Sequence, residues 1–119
     1  MTIRKSAEDY LEQILMLLEK KGYARSIDIA AGLGVSKPSV SVAMKKLREN
    51  GYIHMGADSL ISLTDKGYAI ARKIYDRHRK LIQYLVQIGV PEEIATEDAC
   101  RIEHDISQET FDAICAQIR

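Results

Sequence analysis

Six side chains in this chain are of the kinds that bind first-row divalent metal ions, and their spacing groups them. Asp9 and Glu12 are three residues apart, which on a helix puts both carboxylates on one face. Cys100, Glu103 and His104 stand at positions i, i+3 and i+4, again one helical face. His78 lies between the two sets. Packing of the first helix against the C-terminal pair would let all six converge. Carboxylates and imidazoles suit a divalent ion. A thiolate softens the set toward Fe(II), Co(II) or Zn(II), whereas an oxygen-and-nitrogen subset suits Mn(II) better. Each residue also has an ordinary reading. Exposed carboxylates are usually just solvated, Asp9 can close a helix capping box, and Cys100 can be a small buried apolar group. His78, amid Arg77, Arg79 and Lys80, reads as surface when taken alone. Spacing alone leaves both readings open. Cys115 follows Ile114 and reads as core rather than ligand.

A second chemistry, phosphate and base contact, lies in residues 26–53, SIDIAAGLGVSKPSVSVAMKKLRENGYI. Two short helices joined by a tight turn, then a strand, are the layout of a DNA-binding helix-turn-helix. Such a motif needs a small residue where the helices cross, and Ala30 fills that place. Gly34 supplies the turn, and Val40 packs the second helix onto the first. Ile29, Leu33, Val35, Met44 and Leu47 complete the small core. The exposed face of the second helix then carries Ser36, Lys37, Pro38, Ser39, Ser41, Val42, Lys45 and Lys46. Hydroxyls and lysines near a helix N-terminus suit phosphate, and the helix dipole adds to them. Val42 and Pro38 offer apolar contact to thymine methyl groups. Arg48 and the wing reach toward flanking phosphates. Arg4 and Lys5 are either an arm on the duplex or a solvated terminus. A helical hairpin of other purpose can show the same Ala–Gly–Val spacing, but cap, turn, basic face and wing agree here.

The elements that must position these groups follow from periodicity and caps. Ser6 predicts a helix start with a capping box closed by Asp9. Tyr10, Leu11, Ile14, Leu15, Leu17 and Leu18 form that helix's apolar stripe, and Gly22 ends it. Ser26 is the expected cap of a second helix ending at Leu33. Ser36 caps the third, with Pro38 in its first turn, and Gly51 stops it near Asn50. Residues 52–54 and 60–63 read as short strands around a hairpin turn at Gly56-Ala57-Asp58, a wing. Thr64 caps a long helix to about Ile88, broken by Gly89-Val90-Pro91. Helices over about 91–104 and 107–118 follow, the last capped by Ser107. The fold class expected is mainly α, a winged helix-turn-helix followed by a helical dimerisation region. The division is residues 1–63 for DNA and 64–119 for dimerisation and metal. Ile74, Tyr75, Leu81, Tyr84, Leu85 and Ile88 on the long helix are the expected dimer surface; they could equally cap the winged-helix core.

Bulk properties fit. The 119 residues suit one compact domain or a small one with a helical appendage. Net charge is zero, yet residues 1–90 hold 15 Lys and Arg against 9 Asp and Glu, and residues 91–119 hold 2 against 8. The two parts thus carry +6 and −6, one face for phosphate and another for something cationic. No apolar run approaches the ~18 residues of a membrane span, and MTIRKSAEDY lacks the apolar core of a signal peptide. Two cysteines are too few for a disulfide framework. A cytoplasmic location is expected, with no membrane partner.

These features together resemble the diphtheria toxin repressor family of metal-dependent transcriptional repressors, in its short manganese-sensing form. The segments AEDYLEQILML, KGYARSIDIA, KPSVSVAMKKL, LTDKGYAIA, RHRKLIQYL and ACRIEHDIS carry the resemblance over nearly the whole chain. It implies a winged-helix repressor, homodimeric through its later helices, without the family's SH3-like domain, acting on a double-stranded DNA operator. Mn(II) or Fe(II) is the implied corepressor, with Zn(II) or Co(II) able to substitute in vitro. The family's ligand positions fall on Asp9, Glu12, His78, Cys100, Glu103 and His104. Asp9 matches the manganese branch and Cys100 the iron branch, so two patterns are mixed. At the iron branch's ancillary Glu and second His stand Ile82 and Thr96, so that two-site arrangement is incomplete, although His78 remains and could serve a manganese-type pair. Val42 replaces a polar residue of the iron branch, so the operator does not carry over.

Three other readings compete. A metal-independent winged-helix regulator differs in that a chelator leaves its DNA affinity unchanged. A metalloenzyme is disfavoured by the absence of HExxH, of a nucleophile with a base, and of chain for an organic-substrate pocket. A pure protein-interaction module is disfavoured by the basic face of the third helix.

Overall fold

The computed structural model describes residues 5–119, with Lys5 described through its backbone alone. Arg4 and the Lys5 side chain, raised above as a possible arm, lie outside the described residues. Six helices and a two-stranded sheet follow in the order α1 (Lys5–Lys21), α2 (Ser26–Leu33), α3 (Lys37–Glu49), β1 (Ile53–Met55), β2 (Ile61–Leu63), α4 (Asp65–Gln87), α5 (Glu92–Ile102) and α6 (Gln108–Ala116). The fold is mainly α, a winged helix-turn-helix followed by helices. Two compact units divide at Arg72/Lys73, inside α4.

In the first unit, α1 buries Leu11, Ile14, Leu15 and Leu17, and Tyr10 and Leu18 are half-buried. The helix already includes Lys5, so Ser6 sits within the first turn instead of capping it. Ser26 likewise is the first helical residue of α2. Arg25 is the cap, in extended conformation, and contributes only its carbonyl, which accepts from the N–H groups of Asp28 and Ile29. Gly34 closes α2 in the left-handed region (φ 66°), where a Cβ is costly. The carbonyl of Ala30 accepts from the amide of Val35 at 3.1 Å.

Ser36 caps α3: its Oγ accepts from the Ser39 amide at 3.2 Å, with Pro38 in the first turn. Such a cap stabilises a helix by about 1 kcal/mol. Ile29, Ala30, Val40, Met44 and Leu47 are buried, as the motif requires. Leu33 is only half-buried, and Val35 is 37% exposed. The turn that Gly34 makes carries Val35 outward, so it leaves the expected core.

The wing pairs antiparallel in the register Ile53↔Leu63, His54↔Ser62, Met55↔Ile61. Tyr52 and Leu60 fall outside the strands. The loop is closed by the Gly56 amide donating to Leu60 O at 2.9 Å and by Leu60 N–H donating to Asp58 Oδ1 at 3.1 Å. Thr64 caps α4, accepting from Gly67 N–H at 3.1 Å and donating to Gly51 O at 2.7 Å. A Cβ on Gly67 would collide with the Tyr52 carbonyl, so glycine lets α4 start directly beneath the wing.

The second unit holds the rest of α4 with α5 and α6. Ala95 and Ala99 of α5 are fully buried, as are Ile74 and Leu81 of α4 to within 2%. Ile74 and Leu81 therefore belong to the core of the single chain, not to a dimer surface. Val86, Ile88 and Ile94 are the exposed large apolar residues of this unit. Ser107 caps α6 through the Thr110 amide at 3.1 Å. The α5 helix ends at Ile102, two residues short of the sequence expectation. Glu103 is its C-cap, with φ −60° and ψ −25°, and His104 lies in the turn beyond.

Candidate metal centre and nucleic-acid interface

His78, Cys100 and Glu103 meet in the second unit. At 2.8 Å, His78 Nδ1–H donates to Glu103 Oε2, and the same Nδ1 lies 3.7 Å from Cys100 Sγ. His104 adds a second imidazole, with Nε2 3.3 Å from Glu103 Oε1. Burial is severe for such groups. Glu103 is 0% exposed and His78 8%. His78 is thus no surface residue, despite its basic neighbours in sequence. Cys100 is exposed on its residue surface, so it is not the small buried apolar group that its type allowed. Cys115 is half-buried and takes no part in this cluster.

A wholly buried carboxylate with an imidazole at each oxygen demands positive charge nearby. In the metal-free chain, His78 supplies it. Its ring is held protonated to about pH 10, first by the hydrogen bond with Cys100 and then by that with Glu103, against an opposing push from burial. Glu103 Oε1 accepts no hydrogen bond among the described residues. Carboxylate, two imidazoles and a thiol are also the donor set of a first-row divalent ion, so the residues present fit one. Their geometry is set from α4 and the end of α5. His78 sits mid-helix in α4, the last turn of α5 presents Cys100, and the C-cap position presents Glu103. His104 joins from the turn after the helix, not from the helical face its spacing implied.

In the first unit, Asp9 and Glu12 share one face of α1, Asp9 half-buried and Glu12 buried at 7% exposure. Burial of Glu12 departs from the solvated carboxylate that a lone helical Glu usually is.

On α3, Ser36, Lys37, Pro38, Ser39, Ser41, Val42, Lys45 and Lys46 are all exposed, opposite the buried Val40, Met44 and Leu47. Ser36 is engaged locally, since its hydroxyl also donates to Ser39 Oγ at 2.8 Å. Val42 is 56% exposed, an apolar side chain set among lysines and serines. The wing loop carries Asp58 and no lysine or arginine, so its phosphate contacts would have to come from main-chain amides, from the exposed Ser59 and Ser62 hydroxyls or from His54.

One residue of this centre is not visible from residue type. Arg77 is 7% exposed and bonds the main chain around Glu103. The sequence signal was only its adjacency to His78, and a run of basic residues reads by default as a solvated face.

A winged helix with an exposed basic reading helix, followed by a unit that buries a His–Glu pair beside the Cys100 thiol, defines a class: a metal-dependent, DNA-binding transcriptional repressor. The chain belongs to the iron-dependent repressor family. Residues 2–61 match that family's N-terminal DNA-binding domain, and residues 64–119 its metal-binding and dimerisation domain. Among curated relatives, the transcriptional regulator MntR of Salmonella typhimurium is 41% identical over 113 residues, covering 95% of this chain and 72% of the relative. The MntR regulator of Bacillus subtilis is 43% identical over 109 residues, covering 92% of this chain and 77% of the relative. A manganese-dependent transcriptional repressor in complex with manganese superposes with a TM-score of 0.86 at 30% identity over 94% of this chain. IdeR of T. acidophilum superposes with a TM-score of 0.83 at 28% identity over 98% of it. The chain spans about half the length of these two structures, 52% and 55%.

Proposed function

We propose that this chain represses transcription as a homodimer on a double-stranded DNA operator, with Mn(II) or Fe(II) as corepressor, in the control of metal homeostasis. The observation that carries the reading is the buried Glu103 carboxylate between His78 and His104, with the Cys100 thiol beside it. The MntR relatives support manganese; the thiol of Cys100 supports iron. Asp9, Glu12, His78, Cys100, Glu103 and His104 are the proposed ligands. The proposed DNA contacts are Ser36, Lys37, Pro38, Ser39, Ser41, Val42, Lys45 and Lys46. Residues 1–63 bind DNA in this reading, and residues 64–119 dimerise and bind metal. Among the described residues no helix is long and apolar enough to cross a membrane, which fits action in the cytoplasm.

A bound ion would supply the charge that the proposed carboxylate ligands need. Asp9 and Glu12 belong to α1, whose Leu11 and Ile14 are core residues of the winged helix and which packs on α2 and α3. Holding α1 therefore holds the reading helix. In a two-fold dimer the two reading helices must lie one DNA turn apart, ~34 Å. Without the ion, carboxylate repulsion favours other spacings. By linkage DNA tightens metal binding by the same factor that metal tightens DNA, a coupling of about 1–3 kcal/mol.

The test is an anaerobic calorimetric titration of metal-free protein with Mn(II), then Fe(II), together with operator binding in the presence and absence of a chelator. Saturable binding at one or two ions per chain, with DNA affinity lost on chelation, is the expected result. Chelator-insensitive DNA binding would leave a metal-independent regulator instead.

A further inference from the structure

We infer that Arg77 is a positioning residue of the metal centre, holding the main chain that presents Glu103 and His104 so that its neighbour His78 meets the Glu103 carboxylate. The inference rests on the metal-binding reading above. The α5 helix stops at Ile102, and carbonyls past a helix end have no helical N–H to accept from. Arg77 supplies the missing donors. Its Nη1 donates to Glu103 O at 3.1 Å and to Ile106 O at 3.2 Å, and Nη2 donates to Gln108 Oε1 at 2.9 Å. The guanidinium carbon lies 5.2 Å from the centre of the Phe111 ring, which covers one face of the group. One side chain thus spans the whole turn between α5 and α6.

Two features separate this from ordinary packing. Glu103 is gripped at both ends from consecutive residues of α4, its carbonyl by Arg77 and its carboxylate by His78. All three acceptors of Arg77 are neutral, so its charge is not spent on the Glu103 carboxylate, which stays with the imidazoles. Only a planar fork of donors reaches three acceptors in fixed directions; an ammonium acts as a single point.

The experiment compares Arg77→Met, Arg77→Lys, Gln108→Ala and Ile114→Ala in the full chain. It uses Mn(II) calorimetry, thermal melting of metal-free protein and amide exchange at residues 103–107. Ile114 is a half-buried apolar residue of α6, away from the turn. Arg77→Met is expected to weaken Mn(II) binding roughly 10- to 100-fold, as loss of supporting contacts behind ligands does, and to speed exchange at 103–107. Arg77→Lys recovers only part. Ile114→Ala lowers the melting temperature without changing Mn(II) affinity. Unchanged affinity in Arg77→Met, or an equal loss in Ile114→Ala, would overturn the inference. If Arg77→Met does not fold, Gln108→Ala decides, since it removes one acceptor at an exposed position. Faster exchange with severalfold weaker binding supports the role, and no change in either overturns it. Failure of the wild type to bind Mn(II) would sink the metal reading instead, and exchange at 103–107 would still report whether Arg77 holds the turn.

Discussion

His78 and Glu103 are joined by a 2.8 Å hydrogen bond between Nδ1 and Oε2, across 25 residues of sequence and with both side chains buried. A buried pair of this kind leaves neither partner tolerable without the other. Glu103→Ala removes the anionic member and leaves two imidazoles without a carboxylate. It is expected to abolish saturable Mn(II) binding and, with it, metal-stimulated DNA binding. Calorimetry and a duplex-binding assay check this together. A metal response retained by Glu103→Ala would remove Glu103 from the site.

The same pair sets a pH dependence. A ligating imidazole must be neutral, yet His78 keeps its proton to about pH 10, held chiefly by Cys100 and then by Glu103. Metal uptake at pH 7 must therefore expel that proton. Mn(II) affinity should rise with pH above 7, by up to about tenfold per unit for one proton. Calorimetry in two buffers of different ionisation heat should show at least one proton released per chain, with a second where the Cys100 thiol gives up its own on ligation, and none would mean that His78 is not a ligand. Stability of the metal-free fold runs the opposite way. The folded value lies above the ordinary 6.5, so the contribution is complete below pH 6.5 and is lost as pH climbs through about 10.

Lys45 is exposed on the reading helix, where a phosphate contact is expected. Lys45→Ala should weaken binding to every duplex alike. It should also reduce the slope of log affinity against log salt by about 0.9, the share of one phosphate. A salt titration on specific and unrelated duplexes measures both. An unchanged slope excludes Lys45 from phosphate contact.

Periodicity and caps made most of the fold legible. The buried faces of α1 and α3, the Gly34 turn, and the caps at Ser36, Thr64 and Ser107 all follow from local chemistry. The grouping of Cys100 with Glu103 was legible through helical spacing, and His104 shows the limit of that reasoning. It meets Glu103 although α5 has already ended, because the two are consecutive residues and the turn beyond the helix brings Nε2 to 3.3 Å from Oε1. Arg77 was illegible for a related reason, since its acceptors are main-chain carbonyls and carry no residue signature. Ser6 and Ser26 missed because a helix can take in its best capping residue: α1 already includes Lys5, and α2 begins at Ser26 itself. Gly67 was passed over since nothing in its sequence surroundings marks a close approach to Tyr52. There the structure makes a definite prediction. Gly67→Ala must push α4 from the wing, so it should destabilise the protein by about 1–3 kcal/mol despite alanine's better helix propensity. Denaturant melts decide between the two effects, and a stabilised variant would mean that the wing yields freely.

Val42 offers the sharpest question about base reading. A β-branched apolar side chain 56% exposed among Ser39, Ser41, Lys45 and Lys46 gains nothing from water. In the major groove the one apolar feature of a base edge is the thymine methyl. Burying one methyl contributes about 0.8 kcal/mol, or about fourfold in affinity. A duplex selected on the protein from a random pool with Mn(II) provides the probe, and each thymine is replaced in turn by uracil, which lacks only that methyl. One position per half-site should lose about fourfold in the wild type and nothing in Val42→Ser, while the salt slope stays the same in both. Equal losses in the two proteins would place the methyl against another side chain, Pro38 being the next apolar group on that face. No loss at any position would leave Val42 facing the groove without reading it.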